Sequence, residues 1–256
     1  MDNWEKALNK FLQRYVDEAF FEGALLCGSY ASGNQDEYSD IDVHIVTANT
    51  ETRRERGNCR VDGYMVEYFI NPAYQIERYL DDDWKNGTNC NACMFNGGKI
   101  LYDRHGEMKR LRELAGIYLN KSFQEMDEYK RKMAFYYVWD DLDEITSMQK
   151  KGLRTDIVYN QALLRLVKLY CAYHKIPQIV PSKLERILSD QAYAERYGFE
   201  AKLPAEFSQA VLACIRSRPE EGEKNLRRLY EFVVSACGGF EINGFKLNSL
   251  AEKQVG

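Results

Sequence analysis

The chain has two halves that differ in the spacing of their hydrophobic residues. Before residue 121, short apolar runs alternate with polar turns, a pattern typical of strands that are linked by helices. After residue 121, apolar residues recur every three or four positions over long stretches, which indicates helices alone. The pattern therefore predicts an α+β fold, with a mixed-sheet domain over residues 1–120 and an all-α helical bundle domain over residues 121–256.

The individual elements follow from the same periodicity and from its interruptions. Asp62-Gly63 between two apolar runs predicts a hairpin turn, and Asn71-Pro72 is typical of a helix start. Prolines at 177, 181, 204 and 219, followed by Gly238-Gly239, interrupt or end the helical stretches. We expect strands at 23–27, 41–46, 58–61, 64–70 and 99–102, and helices at 4–19, 72–84, 106–119, 123–150, 155–175, 181–196, 204–217 and 219–237.

Composition and charge narrow the class of protein. The chain has 256 residues and a net charge of −4, so it lacks the overall basic character of proteins that follow a nucleic-acid backbone. Its seven cysteines are an odd number, widely spaced, which is typical of reduced thiols, and the lone Cys90-x-x-Cys93 pair lacks the second pair that structural zinc needs. No secretion pattern and no long apolar run occurs. We therefore expect a cytoplasmic protein with no membrane partner.

The segment between the first two predicted strands carries the candidate chemistry. Gly28-Ser29 follows an apolar strand, and glycine in such a turn lets backbone N–H groups approach a phosphate closely. Eleven residues after Ser29, Asp40 and Asp42 lie on one face of the next strand, about 7 Å apart. Two carboxylates this close repel each other unless a cation lies between them, and Mg²⁺ prefers oxygen ligands. The segment therefore predicts a site for phosphate and metal.

Glu67 is the candidate for a third carboxylate. It interrupts an otherwise apolar strand, and burying a charge without a partner is costly. We expect it to face the metal with the two aspartates; the alternative is that it faces solvent from a half-exposed sheet.

Gly28-Ser29, the intervening loop and Ser39-Asp40-Ile41-Asp42 together resemble the signature of the polymerase-β-like nucleotidyltransferase superfamily. A helical second half makes the chain similar to the aminoglycoside nucleotidyltransferases of the kanamycin type. The resemblance implies an N-terminal nucleotidyltransferase domain and a C-terminal substrate-binding domain. It implies Mg²⁺ held by Asp40, Asp42 and Glu67, ATP held through its phosphates by Gly28 and Ser29, and AMP transfer to a hydroxyl with release of pyrophosphate. A homodimer is compatible with this family.

The resemblance also implies a carboxylate base on the helical domain. Asp140 lies opposite the apolar stripe of its helix and is our candidate, although a solvated helix face is the commoner role for such an acid. The acidic runs Asp81–Asp83 and Glu125–Glu128 are either surface or a means of attracting a polycationic acceptor. Arg53, Arg54 and Arg56 either contact the triphosphate or are solvated in the loop before the hairpin, and we favour the loop. His44 shares the face of the aspartates, either beside the metal or as a structural residue.

Three functions remain open at this point. The first is an enzyme that transfers a nucleotide to a small molecule, the second is a relative that modifies a protein or RNA partner, and the third is a nucleotide-binding module without catalysis. The acidic net charge argues against long RNA, and the fused helical domain argues against a minimal partner-dependent enzyme. The intact Gly28-Ser29 and Asp40-x-Asp42 motifs argue against loss of activity.

Overall fold

The computed structural model describes residues 2–199, 203–217 and 219–248, and the chain divides into two units, Met1–Ser122 and Phe123–Gly256. The first unit contains a mixed five-stranded sheet with helices, and the second contains helices. This arrangement confirms the predicted α+β class. The functional roles assigned to residues 1–120 and 121–256 remain predictions.

The sheet of the first unit has the strand order β3-β4-β2-β1-β5. Strands β2 and β4 are parallel, whereas the other neighbours are antiparallel. The strands are β1 Phe21–Leu26, β2 Ile41–Thr47, β3 Glu55–Val61, β4 Tyr64–Pro72 and β5 Lys99–Asp103. The helices of this unit are α1 Asn3–Leu12, α2 Gly28–Ser32, α3 Ala73–Lys85, α4 Cys90–Gly97 and α5 Glu107–Asn120.

The two faces of the sheet are covered by different helices. On one face, Ile41 and Val43 of β2 are buried in a cluster with Phe11 of α1. On the other face, Leu25 of β1 is buried in a cluster with Phe95 of α4 and with residues of α3 and α5. Because side chains alternate along a strand, the polar residues of β2 that lie between its α1-facing residues belong to the second face. The candidate site is built on this face.

The first helix is shorter than the predicted 4–19. It ends at Leu12, and residues 13–19 form a series of turns instead. Two of these turns close through bonds to the carbonyl three residues earlier, at Phe11 and Leu12. The guanidinium of Arg104 then donates to the carbonyl oxygens of Val16 (2.5 Å) and Glu18 (3.0 Å), which satisfies groups that a continuing helix would have used. A contact from the segment that follows β5 therefore replaces the last predicted turns.

Helix α4 has no counterpart among the predicted elements. Its N-terminus is held by Asp83 of α3, whose carboxylate accepts from the backbone N–H of Asn91 (2.7 Å) and from its side chain (3.0 Å). A carboxylate at this position satisfies an N–H that has no partner within the helix. The cap comes from another element, because the side chain of the N-cap residue Asn89 makes no capping bond.

The second unit packs its helices around one apolar cluster that includes Phe135, Leu166 and Phe207. The predicted helix at 181–196 is instead a 3₁₀ turn at Pro181–Lys183 followed by two short helices, because Asp190 is extended and its side chain caps the second one by accepting from Tyr193 N (3.0 Å). Among the described residues, no helix has the length and apolar character that a membrane span requires. The helices are α6 Glu128–Lys150, α7 Asp156–Tyr173, α8 Leu184–Ser189, α9 Gln191–Arg196, α10 Ala205–Ile215 and α11 Pro219–Ala236.

Candidate active site

Three acidic side chains converge at the start of β2. Asp42 of β2 pairs directly with Glu67 of β4 across the parallel ladder, and Asp40 immediately precedes β2. One carboxylate oxygen from each of the three residues lies within 4.8 Å of the other two, and all three side chains are half-buried. Among the described residues, this is the only group of three or more metal-ligating side chains that could hold one ion. We call Asp40, Asp42 and Glu67 the acidic triad.

The turn between β1 and α2 lies directly against the acidic triad. The backbone N–H of Cys27 donates to the carbonyl oxygen of Asp42 (2.9 Å), which ties the turn to β2. Gly28 has a φ of +65°, and a Cβ built on it would lie 2.0 Å from Asp42 Oδ2. Ser29 is half-buried in the first turn of α2. Only glycine fits this position without displacing a triad carboxylate.

The loop from Asn34 to Asp40 has its own hydrogen bonds. Asp36 accepts from the backbone N–H of Tyr38 (3.0 Å) and from the hydroxyl of Ser39 (2.9 Å). These bonds, that from Ser39 first, lower the pKa of Asp36. The backbone N–H of Asp36 in turn donates to Ser39 Oγ (2.9 Å). The loop thus forms a closed turn immediately before Asp40.

Arg56 is the site residue whose position the sequence did not indicate. It lies on β3, which begins at Glu55, so the prediction of a loop for this arginine is wrong. Its Nε (3.2 Å) and Nη2 (2.7 Å) both donate to Glu67 Oε1. Polar residues at every second position from Arg56 to Arg60, on an exposed face, are the signal that could have extended the strand.

Arg53 and Arg54 precede the strand, as predicted, but Arg54 is not simply solvated. Its guanidinium donates to Asn71 Oδ1 (3.4 Å) and to the hydroxyl of Tyr79, and it lies over the Tyr79 ring. Arg53 pairs with Glu55 (2.6 Å). These two arginines therefore attach the segment before β3 to its neighbours.

His44 shares a sheet face with Asp42 but is enclosed by aromatic rings. It stacks on Phe69 with a centroid distance of 4.8 Å and an interplanar angle of 16°, and it meets the edge of Phe95 at 5.2 Å. Burial lowers its pKa to about 4, so the ring is neutral at neutral pH. Its Nδ1 has no hydrogen-bond partner in the described part of the chain. This environment fits the expectation that His44 is a structural residue.

Cys27 is buried under the turn, whereas Cys90 and Cys93 lie on α4. Burial, together with the nearby Asp42, raises the pKa of the Cys27 thiol, so it stays protonated at neutral pH. The seven cysteines, all within the described residues, are reduced thiols. Cys90 and Cys93 do not form a three-residue metal group with any other described side chain.

Asp140 lies on α6 in the second unit, where it is exposed. Its neighbour Asp141 is buried and accepts from Arg165 Nη1 (2.7 Å) and Gln161 Nε2 (2.9 Å). The side chain of Asp141 therefore links α6 to α7. The role of Asp140 as a base stays a prediction.

The sheet order, the glycine turn and the acidic triad fit a nucleotidyltransferase, and a match to a family model shows this class. The family model for the nucleotidyltransferase domain matches residues 4–190, and the chain belongs to this family. The matched region continues past Ser122 into the second unit.

Solved structures and curated proteins were also compared with the chain. The chain is similar to a nucleotidyltransferase-like protein from Exiguobacterium sibiricum, with 12% identity, a TM-score of 0.45, and coverage of 91% of this chain and 75% of that one. It is also similar to the spectinomycin adenyltransferase AAD(9) from Enterococcus faecialis, with 14% identity, a TM-score of 0.34, and coverage of 91% and 99%. No curated protein matches.

Proposed function

We propose that the chain is a Mg²⁺-dependent adenylyltransferase that moves AMP from ATP to a hydroxyl of a small molecule, such as an aminoglycoside-like antibiotic, and releases pyrophosphate. The observation that carries this proposal is the acidic triad, whose oxygens lie within 4.8 Å of one another beside the Gly28-Ser29 turn. Transfer from a nucleoside triphosphate requires a metal site next to a turn that binds the phosphates.

The acidic triad fits a hard divalent cation. Its donors are carboxylate oxygens, which Mg²⁺ prefers, and three such groups at this spacing repel one another without a cation. Asp40, Asp42 and Glu67 would hold the ion. When bound, the ion would neutralise charge on the phosphates and on the departing pyrophosphate.

The turn at Gly28 and Ser29 would hold the phosphates of ATP. The positive φ of Gly28 lets the backbone turn closely beside Asp42, and Ser29 adds a hydroxyl donor. The bond from Cys27 N to the Asp42 carbonyl fixes the distance between this turn and the acidic triad. Catalysis would then come mainly from positioning the α-phosphorus and the acceptor hydroxyl.

Asp140 is the proposed base that accepts the proton of the acceptor hydroxyl. Its exposure on α6 leaves the carboxylate accessible, whereas Asp141 beside it is buried and paired. Asp143, exposed on the same helix, is the matched control. We expect Asp140→Asn to lower kcat by on the order of a hundredfold, with Asp143→Asn unchanged. Equal rates in the two variants would remove Asp140 from the mechanism.

The acidic runs give little support for recruitment of a polycationic acceptor by charge alone. Asp81 pairs with Lys85 (2.5 Å), and Asp83 caps α4. Asp127 caps α6 by accepting from Lys130 N (3.1 Å), and Glu128 pairs with Arg131. Acceptor choice is therefore expected to depend on the contacts of the bound molecule, and an aminoglycoside is one candidate among hydroxyl-bearing compounds.

The transfer reaction tests this proposal directly. Purified protein, Mg²⁺ and α-labelled ATP are incubated with a panel of aminoglycosides and lincosamides, and labelled product and pyrophosphate are measured. Asp42→Asn should abolish transfer, whereas Asp62→Asn, a change of the same size at the exposed hairpin turn of the same unit, should leave it intact. Transfer that survives Asp42→Asn would contradict the proposed site.

A protein or RNA acceptor is the alternative within the same chemistry. Incorporation of label into a macromolecule, with none into small molecules, would support it. Sedimentation with and without nucleotide would show whether the active species is a homodimer, as the family resemblance allows.

A further inference from the structure

We propose that Arg56 is a phosphate-binding residue that is held on Glu67 when the acidic triad carries no cation. When a divalent cation joins the triad, the guanidinium moves from Glu67 to the phosphates of the bound nucleotide. This inference rests on the proposed function, because it assumes that the acidic triad takes a cation together with a nucleoside triphosphate.

The contact between Arg56 and Glu67 uses one side of the carboxylate. Both donors, Nε at 3.2 Å and Nη2 at 2.7 Å, go to Oε1. A fork-to-fork pair, the strongest arginine–carboxylate geometry, would use both oxygens. The side chain of Arg56 is 71% exposed, so solvent screens the pair and weakens it. Arg56 is thus held beside the triad by a contact that a better partner can replace.

The surroundings of Arg56 allow it to move without leaving the site. Its guanidinium lies 4.9 Å from the centroid of the Phe69 ring. That ring is stacked on the buried His44, so the surface beneath the guanidinium is fixed. A cation above an aromatic face is held weakly at an exposed position and has no single required orientation. Arg54, by contrast, bonds to Asn71 and to the Tyr79 hydroxyl.

Charge gives the direction of the movement. With three carboxylates and no cation, Arg56 supplies positive charge to the acidic triad. A divalent cation bound there satisfies Glu67 and repels the guanidinium, so the contact between Arg56 and Glu67 weakens. The phosphates of the nucleotide then present oxygen pairs that match the planar fork of arginine. Arg56 therefore opposes binding of the cation alone and favours binding of the cation with nucleotide.

The proposal predicts that one substitution, Arg56→Gln, shifts two binding affinities in opposite directions. Binding of the cation alone should tighten by about threefold to tenfold, because a nearby positive charge is lost. Binding of nucleotide in the presence of the cation should weaken by at least about tenfold, because a charge-assisted bond to phosphate is lost. Damage to the fold, or loss of a residue that only orients Glu67, would weaken both.

The experiment uses the full chain and two titrations. Mn²⁺ binding without nucleotide is measured from the paramagnetic resonance signal of the free ion. Binding of a non-hydrolysable ATP analogue at saturating Mn²⁺ is measured by calorimetry. Thermal unfolding of each variant shows that it is folded.

Arg60→Gln is the matched control. Arg60 lies on the same exposed face of β3, on the other side of the position that pairs with Glu67, and its guanidinium donates to the Gly63 carbonyl at 3.5 Å. The Arg60→Gln substitution removes the same charge from the same strand as Arg56→Gln. We expect each affinity of Arg60→Gln to stay within about twofold of the wild type, and Arg56→Lys to retain the weak Mn²⁺ binding of the wild type because it keeps the charge.

The outcomes separate this inference from the proposed function. Opposite shifts in Arg56→Gln, absent in Arg60→Gln, support the role of Arg56. Shifts of the same sign, or no shift, overturn it while the nucleotide binding of the wild type still stands. A wild type that binds no nucleotide with Mn²⁺ overturns the proposed function, and the inference fails with it.

Discussion

Replacing Gly28 with alanine tests how closely the turn approaches the acidic triad. The added Cβ would lie 2.0 Å from Asp42 Oδ2, whereas ordinary contacts begin at 3.4 Å, so the oxygen must move by about 1.4 Å. The residue would also keep a φ of +65°, which an L side chain rarely adopts. The substitution therefore has a backbone effect and a separate effect on a carboxylate of the triad.

Gly33→Ala separates the two effects. Gly33 ends the same short helix with a φ of +70°, and a Cβ there would meet nothing within 4 Å. Each variant should lose about 1–2 kcal/mol of unfolding free energy from the left-handed conformation. Because the Asp42 carboxylate is the end of a side chain and can turn away, Gly28→Ala should lose little more stability than Gly33→Ala.

Divalent-cation affinity should distinguish the two variants. We expect Gly28→Ala to bind Mn²⁺ at least about tenfold more weakly than the wild type, since one ligand of the acidic triad is displaced. Gly33→Ala should bind it normally. Chemical denaturation gives the stability of each variant, and titration of free Mn²⁺ gives the affinity. Equal cation affinity in the two variants would refute the argument that Gly28 is required by its approach to Asp42.

Two further predictions concern the second unit. Asp141→Ala should cost about 1–3 kcal/mol of unfolding free energy in urea denaturation, because Arg165 and Gln161 lose their buried acceptor; an unchanged midpoint would contradict this reading. Hydrogen bonding to Arg131 lowers the pKa of Glu128 from its ordinary 4.5 to about 2, so the stability that this pair contributes is present above pH 4.5 and is lost as the pH falls towards 2. Glu128→Gln should therefore lower Tm at pH 7 and leave it unchanged near pH 2, and a deficit that persists at low pH would show another cause.

The local parts of the candidate site could be predicted from sequence. Alternation along one strand places Asp40 and Asp42 on one face whatever the neighbouring strands are. Glu67 is different, because it meets Asp42 only through the parallel pairing of β4 with β2. No local pattern fixes that pairing, so sequence could identify Glu67 only as a charge within an apolar strand.

The residues that were missed depend on contacts made at a distance. Arg56 follows three charged residues in a row, and such a run hides the alternation that marks a strand. Helix α4 is capped by Asp83 of another helix, and Arg104 binds carbonyl groups in the turns that replace the predicted end of α1. Asp141 is buried only because α7 brings Arg165 to it. In each case the partner lies outside the element concerned.

Nucleotide binding with and without divalent cation is the most direct test of the central claim that Asp40, Asp42 and Glu67 bind a cation that carries the nucleotide. Calorimetry with a non-hydrolysable ATP analogue would compare the wild type with Asp42→Asn, each in Mg²⁺ and in a chelator. We expect the wild type to bind the analogue at least about tenfold more tightly with Mg²⁺, and Asp42→Asn to lose this difference. Wild-type binding that is independent of Mg²⁺, or an Asp42→Asn variant that keeps the full Mg²⁺ effect, would contradict the claim.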